Sequence, residues 1–540
     1  MKWIRFALAI GVVGLAFTAA SAQSGGLTVI VTDEVGPLPG AIVTISHETN
    51  FVKTTSMQTN VRGEALFPVL RPGRGYVIEV SMQNFGKQRI TDIHVKISDS
   101  LLIPVVLAQE MVETVKVVAE GRVVKLEDTQ KTTKFSDEFV QDLPVPGRFY
   151  QNVLTLAPGV QDADGDGNPN VHGSRDRDFK ATVSGVSNVD PLTGQQMSQV
   201  NPNSIEEMEV ITAGAGAEFS RAQGGFATII QKQGSNDFEG VFEFYFRSYL
   251  LDGTGAADNS PDLPDVEFQD LQPSFQVSGP LLKDKLWYRL SHEIIDSERP
   301  IPTSGGLVIQ TIKQEIHSDQ LTWQVSPRNK LALQLQSDPR EINGFGVSSL
   351  TPFESSQFRD RTSKVTTISW TSPLSPKILV ESLVSWQDLN TIIRPTTEGI
   401  PNGCAIGEPF LEDAQCFDQE NAQTTGSYFQ TFDDSRQRLT VSTKATLYGG
   451  SFWGMSHQFK TGLIVENERY FRHLDRRPNL TRIIVNPFDE DQADQQTPQR
   501  LAIIFANVSV PRTADVRATG TNWGLYVEDQ VRIRQNLSMT

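Results

Sequence analysis

From about residue 239 to the end of the chain, apolar and polar residues alternate. Phe242, Phe244 and Phe246 point one way while Glu243, Tyr245 and Arg247 point the other. Leu286, Tyr288 and Leu290 alternate with Trp287, Arg289 and Ser291, and Leu331, Leu333 and Leu335 with Ala332, Gln334 and Gln336. The same pattern runs through Leu439–Leu447, Phe459–Val465 and Trp523–Ile533, where Asp529 breaks the apolar face once. A period of two places every second side chain on one face of a strand. Runs of about eight to ten residues with one apolar face have the length and pattern of transmembrane barrel strands. After the first 22 residues no stretch is long and apolar enough for a membrane helix, so a membrane-embedded chain of this kind must close into a barrel. Tight turns at Pro327–Lys330 and Ser375–Lys377 are set against long polar stretches at 251–272, 387–426 and 467–500, which is the asymmetry of barrel turns and loops. A soluble propeller is the alternative, but no blade-length repeat is present.

The start of the chain sets the compartment. Lys2 and Arg5 precede the apolar run Phe6–Ala20, and Ala20-Ser21-Ala22 has the small-x-small form of a signal-peptidase site. Residues 1–22 therefore read as a secretion signal; the run is short for a membrane anchor. A net charge of −16 argues against nucleic acid as a partner, which needs clustered Lys and Arg. Two cysteines, Cys404 and Cys416, lie in a Gly/Pro/Asp-rich segment, and in an oxidising compartment they are expected to form one local disulfide.

Residues 24–108 read as a small β-sandwich of about seven strands. Leu27–Val31 and Ala41–Ile45 flank the turn Gly36-Pro37-Leu38-Pro39-Gly40, and short strands follow to Leu107. Residues 109–125 are a charged linker holding the extended stretch Glu113-Thr114-Val115-Lys116-Val117-Val118-Ala119. Residues 126–238 are mixed and Gly-rich. A short helix is expected after Ser136, with Asp137 and Glu138 in its first turn, and another over Arg148–Leu156, stopped by Ala157-Pro158-Gly159. Strands are expected near Ala181–Val183, Ile205–Ile211 and Ala227–Gln231. Residues 239–540 hold about ten to twelve strands and end on the start of another, so the barrel is expected to be incomplete, either part of a longer chain or completed by a part that comes from elsewhere. The fold class is thus mainly β: a small sandwich, a mixed α/β domain and an incomplete antiparallel barrel.

Asp162-Ala163-Asp164-Gly165-Asp166-Gly167-Asn168 offers oxygens at alternate positions, Asp162, Asp164, Asp166 and Asn168, which suits calcium. The twelfth position is Gly173 rather than Glu, so this is not an EF-hand. There is no Gly-x-Ser-x-Gly elbow, phosphate-cradling Gly-Lys-Ser/Thr loop or His-Glu-x-x-His pair, and the chain reads as a non-enzyme.

The segments Asp33–Thr44 and Thr59–Phe67 resemble the carboxypeptidase regulatory-like domain, a structural accessory. Leu154-x-x-x-Pro158-Gly159-Val160, Val171-His172-Gly173-Ser174-Arg175, Ile205–Val210, Ala217-Glu218-Phe219 and Gly224-Gly225 are similar to plug motifs of TonB-dependent outer-membrane receptors. Gln231–Gly240 resembles their plug-to-barrel junction, and Gly279–Trp287 an early barrel hairpin. The family's mid-plug Asp-Gly appears here as Ser184-Gly185. The chain resembles the N-terminal part of the Oar-like group of that family. The resemblance implies that Glu113–Ala119 is a TonB box, an extended strand that a partner sheet can add to itself. It also implies an outer-membrane location with the N-terminal domain in the periplasm. Its expected partners are outer-membrane lipid, a TonB-type energy-transducing complex of the inner membrane and an imported siderophore, oligosaccharide or peptide. An adhesin or structural barrel without active transport is the alternative.

Overall fold

The structure, a computed structural model, describes residues 25–33, 35–47, 54–70, 73–95, 100–108, 116–118, 130–142, 149–162, 168–219, 222–251, 267–303, 306–375, 377–401, 404, 414–452, 455–485, 501–507, 512–534 and 537–539. The signal segment 1–22, Glu113–Val115, Ala119, Asp164 and Asp166 lie outside the described residues. Among the described residues no helix is long and apolar enough to cross a membrane.

The N-terminal unit has seven strands, β1 (Gly25–Thr32), β2 (Ile42–His47), β3 (Thr55–Gln58), β4 (Glu64–Leu70), β5 (Gly73–Ser81), β6 (Gln88–Val95) and β7 (Ser100–Val106). They form two layers. In one, β1 pairs antiparallel with β4 and parallel with β7; the other runs β3-β2-β5-β6. Alternation drives this: Leu27, Val29 and Val31 of β1 are fully buried and meet Val43, Ile45, Tyr76, Ile78 and Ile93 in one apolar core. A further strand, β8 (Lys116–Val118), adds in parallel to β6 at the edge of the second layer.

The next unit contains β9 (Lys131–Ser136), a hairpin of β10 (Val160–Gln161) and β11 (Asn170–Val171), and β12 (Phe179–Val183), β13 (Val186–Ser187), β14 (Ile205–Ala213) and β15 (Gly225–Gln231). One mixed sheet takes the order β13-β12-β15-β14-β9. Helix α1 (Asp137–Asp142) is capped by the Ser136 hydroxyl, which accepts from the Phe139 N–H at 3.3 Å. Helix α2 is shorter than the sequence suggests: it runs Tyr150–Leu154, not Arg148–Leu156. Its entry residue Phe149 has extended backbone and no side-chain cap, and the chain turns at Thr155–Gly159. Tyr150, Val153 and Leu154 pack with Phe179, Ile205, Met208 and Ile229 beneath the sheet. The Ser184-Gly185 variant is accommodated in a hairpin turn between β12 and β13. Both residues have positive φ, +48° and +86°, as a tight two-residue turn requires.

Beyond it lies a 12-stranded sheet. Its strands are β16 (Glu239–Ser248), β17 (Gln269–Leu282), β18 (Leu286–Thr303), β19 (Gly306–Ser326), β20 (Asn329–Ser337), β21 (Arg340–Phe345), β22 (Gln357–Ser375) and β23 (Ile378–Pro395), followed after two short strands by β26 (Gln430–Phe452), β27 (Met455–Arg476), β30 (Thr513–Arg534) and β31 (Leu537–Met539). Consecutive strands pair antiparallel, with β20 and β21 sharing one lane between β19 and β22. Among the described residues the path begins at β16 and ends at β31, and these two strands do not pair with each other.

Two sequence expectations are corrected here. Strands of eight to ten residues become strands of up to 23 residues. The polar stretches at 387–395 and 467–476 are ladder rather than loop, pairing with 357–365 and with 430–439. The cause is physical. Only about ten residues of a tilted strand cross the hydrocarbon, and the rest of each strand extends into water, where polar residues can face out. Reading polarity as loop therefore truncated the strands. Asp529, the break in an apolar face, meets His457 Nδ1 of the neighbouring strand at 2.8 Å.

At the end with the longer connections, β24 (Gln415–Asp418), β25 (Gln423–Thr425), β28 (Asn479–Val485) and β29 (Leu501–Asn507) form a separate four-stranded sheet, order β25-β24-β28-β29. Cys404 and Cys416 are joined there as a disulfide, Cα atoms 6.0 Å apart, in a small core with Ala414 and Leu480.

Candidate functional site

The 12-stranded sheet wraps around the mixed domain, and the surface between them is polar. Strict alternation explains why. On β26, Leu439 and Val441 face outward, so Arg436, Arg438, Thr440 and Ser442 must face in, and all four are buried. Arg438 is 2% exposed at its side chain. Its guanidinium donates to the Val189 carbonyl at 2.9 Å and the Ser187 carbonyl at 3.4 Å across the interface. On its own wall it donates to Gln387 Oε1 at 3.3 Å and Glu468 Oε1 at 3.1 Å. Arg436 pairs with Asp190 at 3.1 Å and with Asp434 at 2.8 Å. Arg361 donates to the carbonyls of Gln196 and Met197 at 2.6 and 2.8 Å, and the Gln199 N–H donates to Asp338 at 2.7 Å.

The contacts continue round the wall. Gln336 reaches Ser198 and the Gln199 carbonyl, Gln387 donates to the Ser187 carbonyl, Gln231 donates to Ser318, and Asn201 donates to Ser274. The apolar part of this interface is small: Val186 against Leu383 forms a two-residue cluster. A cavity of about 20 Å³, room for one water, lies between Asn188, Ser198 and Gln231 of the inner domain and Gln334, Thr367 and Gln387 of the wall. An interface made of hydrogen bonds has an alternative partner in water, unlike an apolar core, so its two sides can separate without exposing greasy surface.

A second latch holds the loop after β14. Glu218 pairs with Lys444 of β26 and, at 3.5 Å, with Lys460 of β27, and the Ala217 N–H donates to Glu528 of β30 at 2.8 Å. Burial opposes ionisation of Glu218, but the two ammonium groups outweigh it and hold its carboxyl down to about 2. A depressed folded-state pKa stabilises fully above the ordinary carboxylate value of 4.5 and is lost as pH falls through about 2. Hydrogen exchange of residues 213–219 is therefore expected to stay constant between pH 8 and 5, once intrinsic rates are corrected, and to accelerate only below about pH 4.5. Glu218→Gln is expected to accelerate it already at pH 7.

The junction between the two units is fixed by backbone proximity. A Cβ on Gly234 would lie 2.4 Å from the Tyr288 carbonyl oxygen, so only glycine fits. Asn236 Oδ1 accepts from the Trp287 indole at 2.8 Å and from the Asp284 N–H at 2.9 Å, pinning the first hairpin of the wall. Gly234 and Asn236 were legible as motif residues; the wall side chains Arg438, Arg361 and Lys444 were not. A signal for them was present, as Arg436 and Arg438 occupy the face opposite a clean apolar stripe.

Of the expected TonB-box residues, Lys116, Val117 and Val118 are described, as β8, in register with Arg89, Ile90 and Thr91 of β6. Of the expected calcium ligands, Asn168 donates its side-chain amide to the Gly194 carbonyl at 3.0 Å, and Asp162 ends the described part of β10's exit. Asp164 and Asp166 lie outside the described residues.

A long-stranded antiparallel sheet, apolar outside and polar inside, wrapped round a domain threaded ahead of it in sequence, defines a plugged outer-membrane β-barrel. Residues 125–226 match the model of the TonB-dependent receptor plug domain. The chain is 26% identical over 285 residues to the TonB-dependent transporter Oar of Myxococcus xanthus, covering 50% of this chain and 27% of Oar. It is 31% identical over 147 residues to the probable TonB-dependent siderophore receptor PirA of Acinetobacter baumannii, covering 26% of this chain and 18% of PirA. The crystal structure of the outer membrane transporter YddB from Escherichia coli superposes with a TM-score of 0.54 at 13% identity, over 74% of this chain and 54% of YddB. The matched regions thus span under a third of the curated relatives. Residues 125–226 thus carry the match to a TonB-dependent receptor plug, and the chain is similar to TonB-dependent outer-membrane receptors.

Proposed function

We propose that this protein is an energised importer of a scarce ligand, and that a TonB-type complex of the inner membrane opens it by pulling on Glu113–Ala119. The observation that carries the reading is the plug–wall interface: it is built from Arg438, Arg436, Arg361, Gln336 and Gln387 contacts, with little apolar surface. Such a plug is stable at rest and can be hydrated when pulled. The handle fits the same physics. Strand addition is how an extended segment grips a sheet, and Lys116–Val118 already does so on β6. Among the described residues β8 is the outer strand of its sheet, so a partner strand can add to the edge that faces away from β6 or take the place of β6.

The N-terminal sandwich, with its resemblance to carboxypeptidase regulatory-like domains, is then the resting dock of the handle rather than an enzyme. PirA of Acinetobacter baumannii, named a probable siderophore receptor, makes a ferric siderophore one ligand class to test, beside oligosaccharides and peptides. The experiment is uptake by cells carrying the full-length receptor, with and without an uncoupler. Import that persists without proton-motive force would contradict the reading.

We further propose that Asp162, Asp164, Asp166 and Asn168 hold calcium in the plug, since alternate oxygens suit a hard cation. Calcium at 1 mM is expected to protect residues 160–171 from exchange relative to chelator. Equal protection in both, or a calcium effect that persists in the Asp164→Asn/Asp166→Asn variant, would remove the proposal.

A further inference from the structure

His292 of β18 and His317 of β19 stand directly opposite each other in the antiparallel ladder. Their rings meet edge to face with centroids 4.1 Å apart. Glu315 lies two residues from His317, hence on the same face, and its Oε2 is 3.4 Å from His317 Nε2. One ligand atom from each of the three residues falls within 4.8 Å of the others. This face is the outside of the wall. Leu290, Ile294, Leu321 and Trp323 of the same two strands are exposed, whereas Arg289, Ser291, Ser318 and Gln320 between them are buried against the plug side. Phe275 of β17 stacks on His292 with centroids 5.5 Å apart and closes one flank. His292 Nε2 is buried and has no hydrogen-bond partner, which is costly for a ring nitrogen unless something occupies its lone pair or takes its proton. The Glu315 side chain is 57% exposed, so the cluster is open on the outer side of the wall.

We propose that His292, His317 and Glu315 form a site for a first-row divalent transition-metal ion, with zinc the best fit. Two neutral imidazoles and one carboxylate are a borderline-soft donor set that suits zinc and leaves a fourth position for water. Harder cations such as calcium and magnesium prefer all-oxygen sets. The ion satisfies the lone pair of His292, and the Glu315 carboxylate offsets its charge. Across β18 and β19 it acts as a clip between neighbouring strands on the outer surface. The site depends only on the folded wall, so it stands or falls independently of TonB coupling and import.

The test uses the full-length receptor, refolded in detergent and stripped of metal, with correct folding of every variant established by heat-modifiable gel mobility. Zinc is titrated against a chromophoric chelator, and cobalt is added as a spectroscopic stand-in. The expected result is one zinc per chain and a cobalt absorption band of tetrahedral intensity. Both should be lost in His292→Ala/His317→Ala, and zinc binding should weaken by at least about tenfold in Glu315→Gln. His473→Ala, a histidine paired with Asp515 elsewhere on the wall, should leave both unchanged. Identical titrations in the wild type and in Glu315→Gln, whose exposed side chain makes misfolding no explanation, would overturn the site. So would a cobalt spectrum of purely octahedral, water-like weakness.

Discussion

Deleting residues 113–119 is expected to abolish capture of the receptor by the periplasmic domain of TonB, weakening it by about 100-fold or more, while the barrel still folds. The magnitude follows from the mode of binding. In strand addition the main chain supplies the affinity through several ladder bonds, each worth about 1 kcal/mol net, and removing the strand removes them all. A finer version replaces Val117 alone by proline, which cannot donate to a ladder. It should lose most of the binding without shortening the linker. Because Val117 pairs opposite Ile90 on β6, the same change also frees the segment from its dock. Reduced capture by a segment that is now free would show that the grip resides in the ladder, not in accessibility. The check is a pull-down or calorimetric titration with the purified TonB domain, with heat-modifiable mobility as the folding control. Unchanged capture would mean that TonB grips another part of the chain.

The second large effect is expected at Arg438. It is fully buried, joins plug carbonyls to wall side chains, and shares Glu468 as its counter-charge. Removing one partner of a buried charge network typically costs about 3–5 kcal/mol, because it leaves the remaining charge buried and uncompensated. Arg438→Ala should therefore loosen the plug without unfolding the wall. In planar bilayers the full-length variant should show large, transient conductance steps absent from the wild type, and cells should become sensitive to bulky antibiotics. Arg438→Lys keeps the charge but not the forked geometry that reaches Ser187, Val189, Gln387 and Glu468 together, so it should recover only part of the closure. A variant as tightly closed as the wild type would mean that the plug is held elsewhere, and the Glu218–Lys444 latch would be the place to look.

How much of this was legible in the sequence differs by level. Strand existence was, because a period of two survives wherever one face is in lipid, as in Leu439, Val441 and Trp523, Leu525, Val527. Strand length was not. Beyond the lipid both faces are wet and the pattern dissolves, which is why 387–395 and 467–476 read as loop. The helix over Arg148–Leu156 was overextended because propensity says little about five-residue helices set by packing of Tyr150 and Leu154. Motif glycines such as Gly234 were visible, and the structure supplies their reason in a single backbone contact. The polar interface was hidden. Nothing in the local sequence of Arg361 or Arg438 says that the carbonyls of Met197 or Val189 lie opposite, more than 160 residues away. The four-stranded sheet outside the wall was missed for a similar reason: β24 pairs with β28 across an intervening hairpin of the wall, and such long-range pairing leaves no local trace.

The central claim is that force on the handle removes the plug before it disturbs the wall. Single-molecule force spectroscopy on the full-length receptor, pulled through a tag placed at residue 113 with the barrel held in a bilayer, tests it most directly. The account predicts a first low-force event that releases at most the plug's residues 126–238, a contour gain of up to roughly 400 Å, with the wall strands peeling later at higher force. A first event that removes wall strands while the plug stays seated would contradict it.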